Sequence, residues 1–109
     1  MRPGLLLSLA LIASAATLAP ASAAEITLTI KNHRFEPAEV RVPANTPFTL
    51  RVNNADSTPE EFESKSLRVE KVIAGNSSGT FQMRALKPGR YTFFGEFNEA
   101  TAQGALIAE

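Results

Sequence analysis

The sequence has 109 residues, in which 11 lysine and arginine residues balance 11 aspartate and glutamate residues, and it contains no cysteine. A chain without net positive charge lacks the electrostatic footprint of proteins that bind nucleic acid or anionic membranes. The absence of cysteine excludes disulfide bonds and a lipid anchor at a cleavage site, so apolar packing must stabilise the chain.

The first 24 residues have the pattern of a secretory signal peptide. A basic start precedes an apolar run over residues 5–18, and residues 21–23, Ala-Ser-Ala, fit the small-x-small cleavage motif. A membrane anchor is disfavoured, because the run is shorter than the roughly 20 apolar residues that span a bilayer. We therefore expect residues 1–24 to be removed on export. Residues 25–109 then form one domain with no direct membrane anchor.

Alternation of apolar and polar side chains predicts the first strand over residues 25–31 and further strands over residues 48–52 and 81–85. Met83 belongs to the apolar face of its strand, so we expect it in the core. Further extended segments are predicted around Phe62 and over residues 35–42, 67–73, 91–97 and 106–107.

Turn sequences separate these segments about every eight to twelve residues, and no helical periodicity interrupts them. This pattern predicts an all-β fold, a β-sandwich of about seven strands. Binding chemistry is then expected in the loops at one end of the sandwich.

Several stretches together resemble the cupredoxin family, and the resemblance covers the whole of residues 25–109. The first stretch is Phe-Glu-Pro at residues 35–37 with Pro43 and the strand at residues 48–52. The second is Asn-Asn at residues 53–54 with Pro59, and the third is Pro-Gly-Arg-Tyr-Thr-Phe at residues 88–93 with Gly104. The resemblance implies a Greek-key β-sandwich.

The copper ligands of a blue-copper protein are absent at the matching positions. Such a protein binds its ion with two histidines, one cysteine and a weak axial methionine. The resemblance places the ligand positions at Glu60 or Glu61, Gly95, Asn98, and Ala102 or Gln103. Because the chain has no cysteine and a single histidine, a type 1 copper site and a blue-copper electron carrier are excluded.

Other stretches resemble one subgroup more closely. These are Asn-His-Arg-Phe-Glu-Pro (32–37), Pro-Glu-Glu-Phe-Glu-Ser (59–64), Glu-Lys-Val-Ile (70–73), Gly-Glu-Phe (95–97) and Thr-Ala-Gln-Gly (101–104). They resemble the periplasmic cupredoxin-like component of Ftr-type ferrous-iron transport systems and the cupredoxin-like domain of EfeO-type iron-uptake proteins. The subgroup usually has a histidine after Glu-Phe, where this chain has Asn98.

The narrower resemblance implies an accessory protein of iron uptake in the periplasm. Its implied partners are a periplasmic iron-binding protein and an inner-membrane permease. Its implied role is to handle ferrous iron or to assist its oxidation. Oxidation needs an electron acceptor that this chain does not supply, and no self-contained catalytic site is evident in the sequence.

In the resembling fold, the first, third and penultimate strands end at the same pole. We therefore predict a metal site there, in which an imidazole and several carboxylates bind Fe²⁺ or Mn²⁺, or Cu²⁺ through the histidine. Its predicted ligands are Glu96, His33, Glu61, Glu63 and Glu60.

Strand geometry adds two expectations about this pole. Glu61 and Glu63 should share one side of an extended segment, opposite Phe62. Residues 96 and 98 should likewise share a side, opposite the phenylalanine between them.

Each residue also has a plainer interpretation. His33 can be a hydrogen-bonding turn residue, and the glutamates can form a solvated loop that pairs with Lys65 and Arg68, for roughly 0–1 kcal/mol. Glu70 and Lys71 can form a partner-facing charge pair, although sequence neighbours point to opposite faces of a strand. Two other functions stay open: a metal-free interaction module of a transport complex, and a non-blue copper-binding or copper-delivery protein.

Overall fold

The computed structural model describes residues 24–109, together with Gly4 and Ala10. The predicted signal peptide comprises residues 1–24, and all of it except residues 4, 10 and 24 lies outside the described residues. Within the described part, no helix is long and apolar enough to cross a membrane. The described elements are β1 (Glu25–Lys31), β2 (Arg34–Glu36), β3 (Glu39–Val42), β4 (Phe48–Asn54), β5 (Glu60–Ser64), β6 (Val69–Ile73), β7 (Ser77–Met83), β8 (Gly89–Gly95), a 3₁₀ turn (Glu96–Asn98) and β9 (Gln103–Ala108).

The strands form two sheets, one with the order β2-β1-β4-β7 and the other with the order β3-β9-β8-β5-β6. The β1–β4 and β3–β9 pairs are parallel, and the other pairs are antiparallel. Neighbours in a sheet are often distant in sequence, because the chain crosses between the sheets as in Greek-key folds. The predicted all-β sandwich is confirmed.

The described residues contain nine strands where about seven were predicted, and the segment at residues 35–42 accounts for part of the difference. It divides into β2, which pairs with β1, and β3, which pairs with β9 in the other sheet. Pro37 lies between the two strands and has no amide to donate to a ladder. One predicted strand therefore serves both sheets.

The period-two pattern predicted most of the buried face correctly, but the strand predicted over residues 81–85 is β7, which ends at Met83, and Ala85 beyond it is exposed. Leu28 and Ile30 of β1 and Leu50 of β4 are inaccessible to solvent. Met83 is 5% exposed, so its prediction as a core residue is confirmed. The alternation works because successive side chains of a strand point to opposite faces of the sheet.

Three buried phenylalanine rings lie in the core, and a fourth ring, that of Phe81, is partly buried and packs against them. The Phe93 ring lies 4.9 Å from the Phe35 ring at nearly a right angle and 5.1 Å from the Phe62 ring. The ring of Phe81 lies 5.1 Å from that of Phe62. Aromatic pairs at such distances add to the stability gained from burial alone.

The strand predicted over residues 91–97 ends earlier than expected, at Gly95. The next three residues form the 3₁₀ turn, so Phe97 does not share a face with Tyr91 and Phe93 and is 51% exposed. The loop closes on itself, because the amides of Thr101 and Ala102 donate to the carbonyl of Asn98. These bonds satisfy the backbone locally, so the extended conformation ends.

Candidate metal-binding site

Two glutamates of β5 lie on the solvent-facing side of the five-stranded sheet. Glu61 and Glu63 are both half-buried, whereas Phe62 between them is fully buried in the core. The predicted arrangement of these three residues is confirmed.

Two more glutamates lie beside this pair. Glu70 of β6 is directly opposite Glu63 in the antiparallel ladder, and Glu96 begins the 3₁₀ turn after β8. One carboxylate oxygen from each of Glu61, Glu63, Glu70 and Glu96 lies within 4.8 Å of the others, and we call these four residues the carboxylate cluster. Carboxylate oxygens are the ligands that hard divalent cations prefer.

Sequence reasoning placed Glu70 in a partner-facing pair with Lys71 and missed its place in the cluster. The two residues do point to opposite faces, and the Lys71 ammonium lies 5.8 Å from the centre of the Phe81 ring. A hairpin in which Ser64 pairs with Val69 sets Glu63 opposite Glu70. A predicted strand that began at Val69, rather than at residue 67, would have placed Glu70 opposite Glu63 and so identified it as a member of the cluster.

The crowding of carboxylates changes their acidity. Hydrogen bonds with Glu70 and then with Glu96 raise the pKa of Glu61 to about 8. Partial burial, followed by the charges of Glu96 and Glu70, raises the pKa of Glu63. Like charges disfavour ionisation of each other, and a cation among them would reverse the effect.

Basic side chains do not neutralise the cluster in the described part of the chain. The ion pairs within 4.0 Å there join other residues, namely His33 with Asp56, Arg41 with Glu109, Arg51 with Glu25, and Arg90 with Glu39. The alternative in which Lys65 and Arg68 pair with the glutamates is therefore wrong. Lys65 acts on Glu63 only as a more distant charge that lowers its pKa.

Glu60 points away from the cluster, into the interior, and is 1% exposed. Its Oε1 accepts hydrogen bonds from the amide of Glu61 at 3.1 Å and the amide of Phe97 at 2.9 Å. Its Oε2 accepts a bond from Asn98 Nδ2 at 2.6 Å. The structure therefore does not bring Glu60 together with the other predicted ligands, because successive residues of β5 alternate between the two faces.

Glu96 and Asn98 also differ from the expectation that they share a side. Glu96 lies in the carboxylate cluster on the outer face, whereas Asn98 turns inward to Glu60. The expectation assumed an extended chain, in which alternate residues share a side, and the 3₁₀ turn breaks that rule.

Gly95 and Gln103, two more of the positions matched to copper ligands, have structural roles. A Cβ atom at Gly95 would lie 2.6 Å from Cδ of Glu60 and 2.8 Å from Cβ of Ala102. Gln103 is exposed and donates through Nε2 to the carbonyl of Glu99 at 2.9 Å. The position of Gly95 therefore requires the smallest residue.

His33 lies in the two-residue turn between β1 and β2. Asn32 and His33 have positive φ angles of 53° and 57°, as the favoured hairpin turns require. The carboxylate of Asp56 accepts hydrogen bonds from the amides of both residues, at 2.8 and 2.9 Å, and lies 3.5 Å from Nδ1 of His33. The structure thus places His33 outside the carboxylate cluster, in the position of a hydrogen-bonded turn residue.

Comparisons of the sequence identify its relatives. The model of a family described as "Cupredoxin-like domain" matches residues 4–108. The uncharacterized protein RP394 of Rickettsia prowazekii (strain Madrid E) is 46% identical over 83 residues, which cover 76% of this chain and 66% of that protein. The chain therefore spans about two thirds of the length of that relative.

Solved structures share the fold at low sequence identity. Auracyanin A, a blue copper protein from Chloroflexus aurantiacus, has a TM-score of 0.69 at 15% identity, over 81% of this chain and 100% of that one. The metal-binding domain of the Cu(I)-exporting P-type ATPase CopA of Streptococcus pneumoniae D39 has a TM-score of 0.69 at 13% identity, over 78% of this chain and 84% of that one. These similarities show the fold alone.

Type 1 copper does not fit the residues of this chain. The chain has no cysteine, and a thiolate is essential to that site. At the matched position, Gly95 has no room for a side chain because the carboxyl group of Glu60 and the methyl group of Ala102 are too close. Any metal ion that this protein binds must therefore be held by other side chains.

Proposed function

Because this chain belongs to the cupredoxin-like domain family, we propose that it uses the family's β-sandwich to bind ferrous iron at the carboxylate cluster. The observation that carries this proposal is the convergence of four carboxylate oxygens within 4.8 Å of one another. Iron is the cargo in this proposal, and Glu61, Glu63, Glu70 and Glu96 are its ligands.

The electrostatics of the cluster support cation binding. A carboxyl group whose pKa is about 8 keeps its proton near neutral pH when no cation is present. A divalent ion displaces that proton and neutralises the charges of its neighbours, so binding relieves their repulsion. Without such an ion, the proton retained on Glu61 reduces the repulsion among the four carboxyl groups.

The exposure of the ligands supports transient rather than permanent binding. Glu70 and Glu96 are exposed, and Glu61 and Glu63 are half-buried. A site open to solvent exchanges its ion more readily than a closed cage does. We infer that the protein receives ferrous iron and passes it on.

We propose iron rather than another hard cation because the sequence motifs resemble those of Ftr-type and EfeO-type iron-uptake systems. The same resemblance supports a periplasmic accessory protein that works with a periplasmic iron-binding protein and an inner-membrane permease. Oxidation of the iron is left to a partner, since the electron needs an acceptor that this chain does not supply.

Anaerobic calorimetric titration of the purified protein with Fe²⁺, and in parallel with Mn²⁺ and Cu²⁺, tests the proposal. We expect one Fe²⁺ per chain, and we expect Glu61→Gln and Glu96→Gln each to weaken binding by about tenfold or more. Glu36→Gln is the matched control, since Glu36 is an exposed glutamate on β2 of the other sheet. His33→Ala should also leave the affinity unchanged.

Two results would contradict the proposal in different ways. Failure of the wild type to bind any of the three ions would exclude the site and favour a metal-free interaction module. Preferential binding of Cu²⁺ that is lost in His33→Ala would instead favour the copper-binding alternative.

A further inference from the structure

Three positions that the cupredoxin resemblance equates with copper ligands meet at one point in the interior. Glu60 and Asn98 are joined by a hydrogen bond of 2.6 Å between their side chains. Gly95 lies against Glu60, since a Cβ there would be 2.6 Å from Cδ of Glu60 and 2.8 Å from its Oε1. A side chain at residue 95 would therefore run into the carboxyl group of Glu60.

The contacts of Glu60 are those of a carboxylate whose oxygens already accept hydrogen bonds, rather than of a free metal ligand. Both of its oxygens accept hydrogen bonds, from two backbone amides and one side-chain amide. A carboxylate only accepts hydrogen bonds, so three donors suit it. Within residues 24–109, buried side-chain nitrogen and oxygen atoms all have hydrogen-bond partners. Glu60 therefore gains nothing from a metal ion at this point.

The donors to Glu60 belong to the two segments that carry the carboxylate cluster. The Glu61 amide belongs to the peptide that orients the Glu61 side chain. The Phe97 amide and the Asn98 side chain belong to the 3₁₀ turn that begins at Glu96. That turn has no capping hydrogen bond from Gly95, the residue before it, so Glu60 supplies an acceptor that a capping side chain would otherwise provide.

We propose that Glu60 is a positioning residue: its buried carboxylate holds Glu61 and Glu96 in the geometry that binds the cation. The part that concerns the cation rests on the proposed function. Groups that orient metal ligands without touching the metal typically change metal affinity by about 10–100-fold when they are lost. Glu60 bonds to β5 and to the 3₁₀ turn, which carry the ligands, without being a ligand itself.

Amide hydrogen exchange in the metal-free protein tests the positioning role directly. The Phe97 side chain is 51% exposed, yet its amide should exchange slowly because Glu60 holds it. In Glu60→Met, which keeps a similar volume without an acceptor, exchange at Phe97 should accelerate by about tenfold or more. The amide of Leu50, in the core of the other sheet, should keep its protection.

Two further variants separate positioning from ligation and from a general loss of folding. Glu60→Gln retains an amide oxygen for the Phe97 amide, so it should keep Phe97 protected and keep most of the Fe²⁺ affinity. Glu60→Met should lower the Fe²⁺ affinity by about tenfold or more. Asn98→Ala removes one donor and leaves the Glu60 carboxylate in place, so its effects on both measurements should be smaller than those of Glu60→Met.

The outcomes distinguish this inference from the proposed function. Unchanged exchange at Phe97 in Glu60→Met would overturn the positioning role, whatever the iron titration gives. Equal loss of Fe²⁺ binding in Glu60→Gln and Glu60→Met, with Phe97 still protected in Glu60→Gln, would show that Glu60 is itself a ligand and would also overturn it. If Phe97 exchanges slowly in a way that depends on Glu60, but the protein does not bind Fe²⁺, the positioning role of Glu60 would stand. Only the iron site would then be rejected.

Discussion

Glu63 of β5 and Glu70 of β6 are cross-strand partners, so two carboxylates face each other directly on the outer side of the five-stranded sheet. Like charges in this position destabilise an antiparallel pair. Glu61 and Glu96 lie close enough to increase the repulsion. The same four side chains can therefore both weaken the folded protein and attract a cation.

The cluster should make the metal-free protein less stable as the pH rises, because Glu61 loses the proton that its hydrogen bonds with Glu70 and Glu96 require. The pKa of Glu61 is raised to about 8 from a usual value of 4.5, chiefly by Glu70 and then by Glu96. Its stabilising contribution is complete below the unfolded-state pKa and is lost as the pH rises through the folded-state pKa. We expect the thermal midpoint to fall between about pH 5 and about pH 8, and Glu70→Gln to reduce that fall.

Glu36→Gln is the control for the charge change in that measurement, because Glu36 is an exposed glutamate on the other sheet. It should leave the pH dependence as it is in the wild type. A wild-type midpoint that rises over the same pH range would show that the cluster does not govern stability there.

Metal affinity should have the opposite pH dependence. A cation at the cluster competes with the proton on Glu61, because carboxylates bind metals in their ionised form. Calorimetry with Mn²⁺, which resists oxidation by air, should therefore give tighter binding at about pH 8 than at about pH 6. Asp56→Asn, which removes a carboxylate outside the cluster, should not change this difference.

Substitution of Gly95 should be far more costly than substitution of Gly89 in the same strand. A Cβ at Gly95 would meet Glu60 at 2.6 Å and Ala102 at 2.8 Å, whereas at Gly89 the nearest atom is 3.7 Å away, in the Tyr91 ring. Gly95→Ala should lower the free energy of unfolding by about 1–3 kcal/mol, as overpacking of a core does. Gly89→Ala should stay within about 0.5 kcal/mol of the wild type.

Urea denaturation measures both glycine variants. Equal stability of Gly95→Ala and Gly89→Ala would mean that the carboxyl group of Glu60 is not held against Gly95.

Two phenylalanines at the end of β8 should differ sharply in their contribution to stability. Phe93 is 1% exposed and packs against Phe35 and Phe62, whereas Phe97 is 51% exposed. Phe93→Ala should cost about 3–5 kcal/mol, from lost burial and the remaining cavity. Phe97→Ala should change the free energy of unfolding by about 0.5 kcal/mol or less, and a comparable loss in both variants would contradict the position of the 3₁₀ turn.

Asp56 should contribute stability that acid removes. Hydrogen bonds from the amides of His33 and Asn32, together with the His33 charge, hold the pKa of Asp56 below its usual value of 3.8. A lowered carboxyl pKa stabilises the protein above the unfolded-state pKa, and this contribution is lost as the pH falls through the folded-state pKa. Urea midpoints should therefore fall less steeply below about pH 4 in Asp56→Asn than in the wild type.

The control for the Asp56 experiment is again Glu36→Gln, for which the acid limb should match the wild type. Identical acid limbs in Asp56→Asn and the wild type would argue that the β1–β2 turn does not depend on this carboxylate.

The sequence alone determined the sandwich, its core faces and the exclusion of type 1 copper. Strands with a period of two place alternate side chains on opposite faces, which is why Leu28, Leu50 and Met83 were correctly placed in the core and why Glu61 and Glu63 were correctly paired. The copper exclusion required only a count of cysteines.

Only the tertiary structure decided how the glutamates are divided between the cluster and the interior. The register of β5 against β6 brought in Glu70, which is a matter of hairpin length rather than of residue type. The 3₁₀ turn placed Glu96 outside and Asn98 inside, because the acceptor that holds the turn is Glu60, 37 positions away from Phe97. Long-range hydrogen bonds of this kind leave no local periodicity, so the sequence could indicate that glutamates gather near this end of the fold but not which of them meet on the outer face of the sheet.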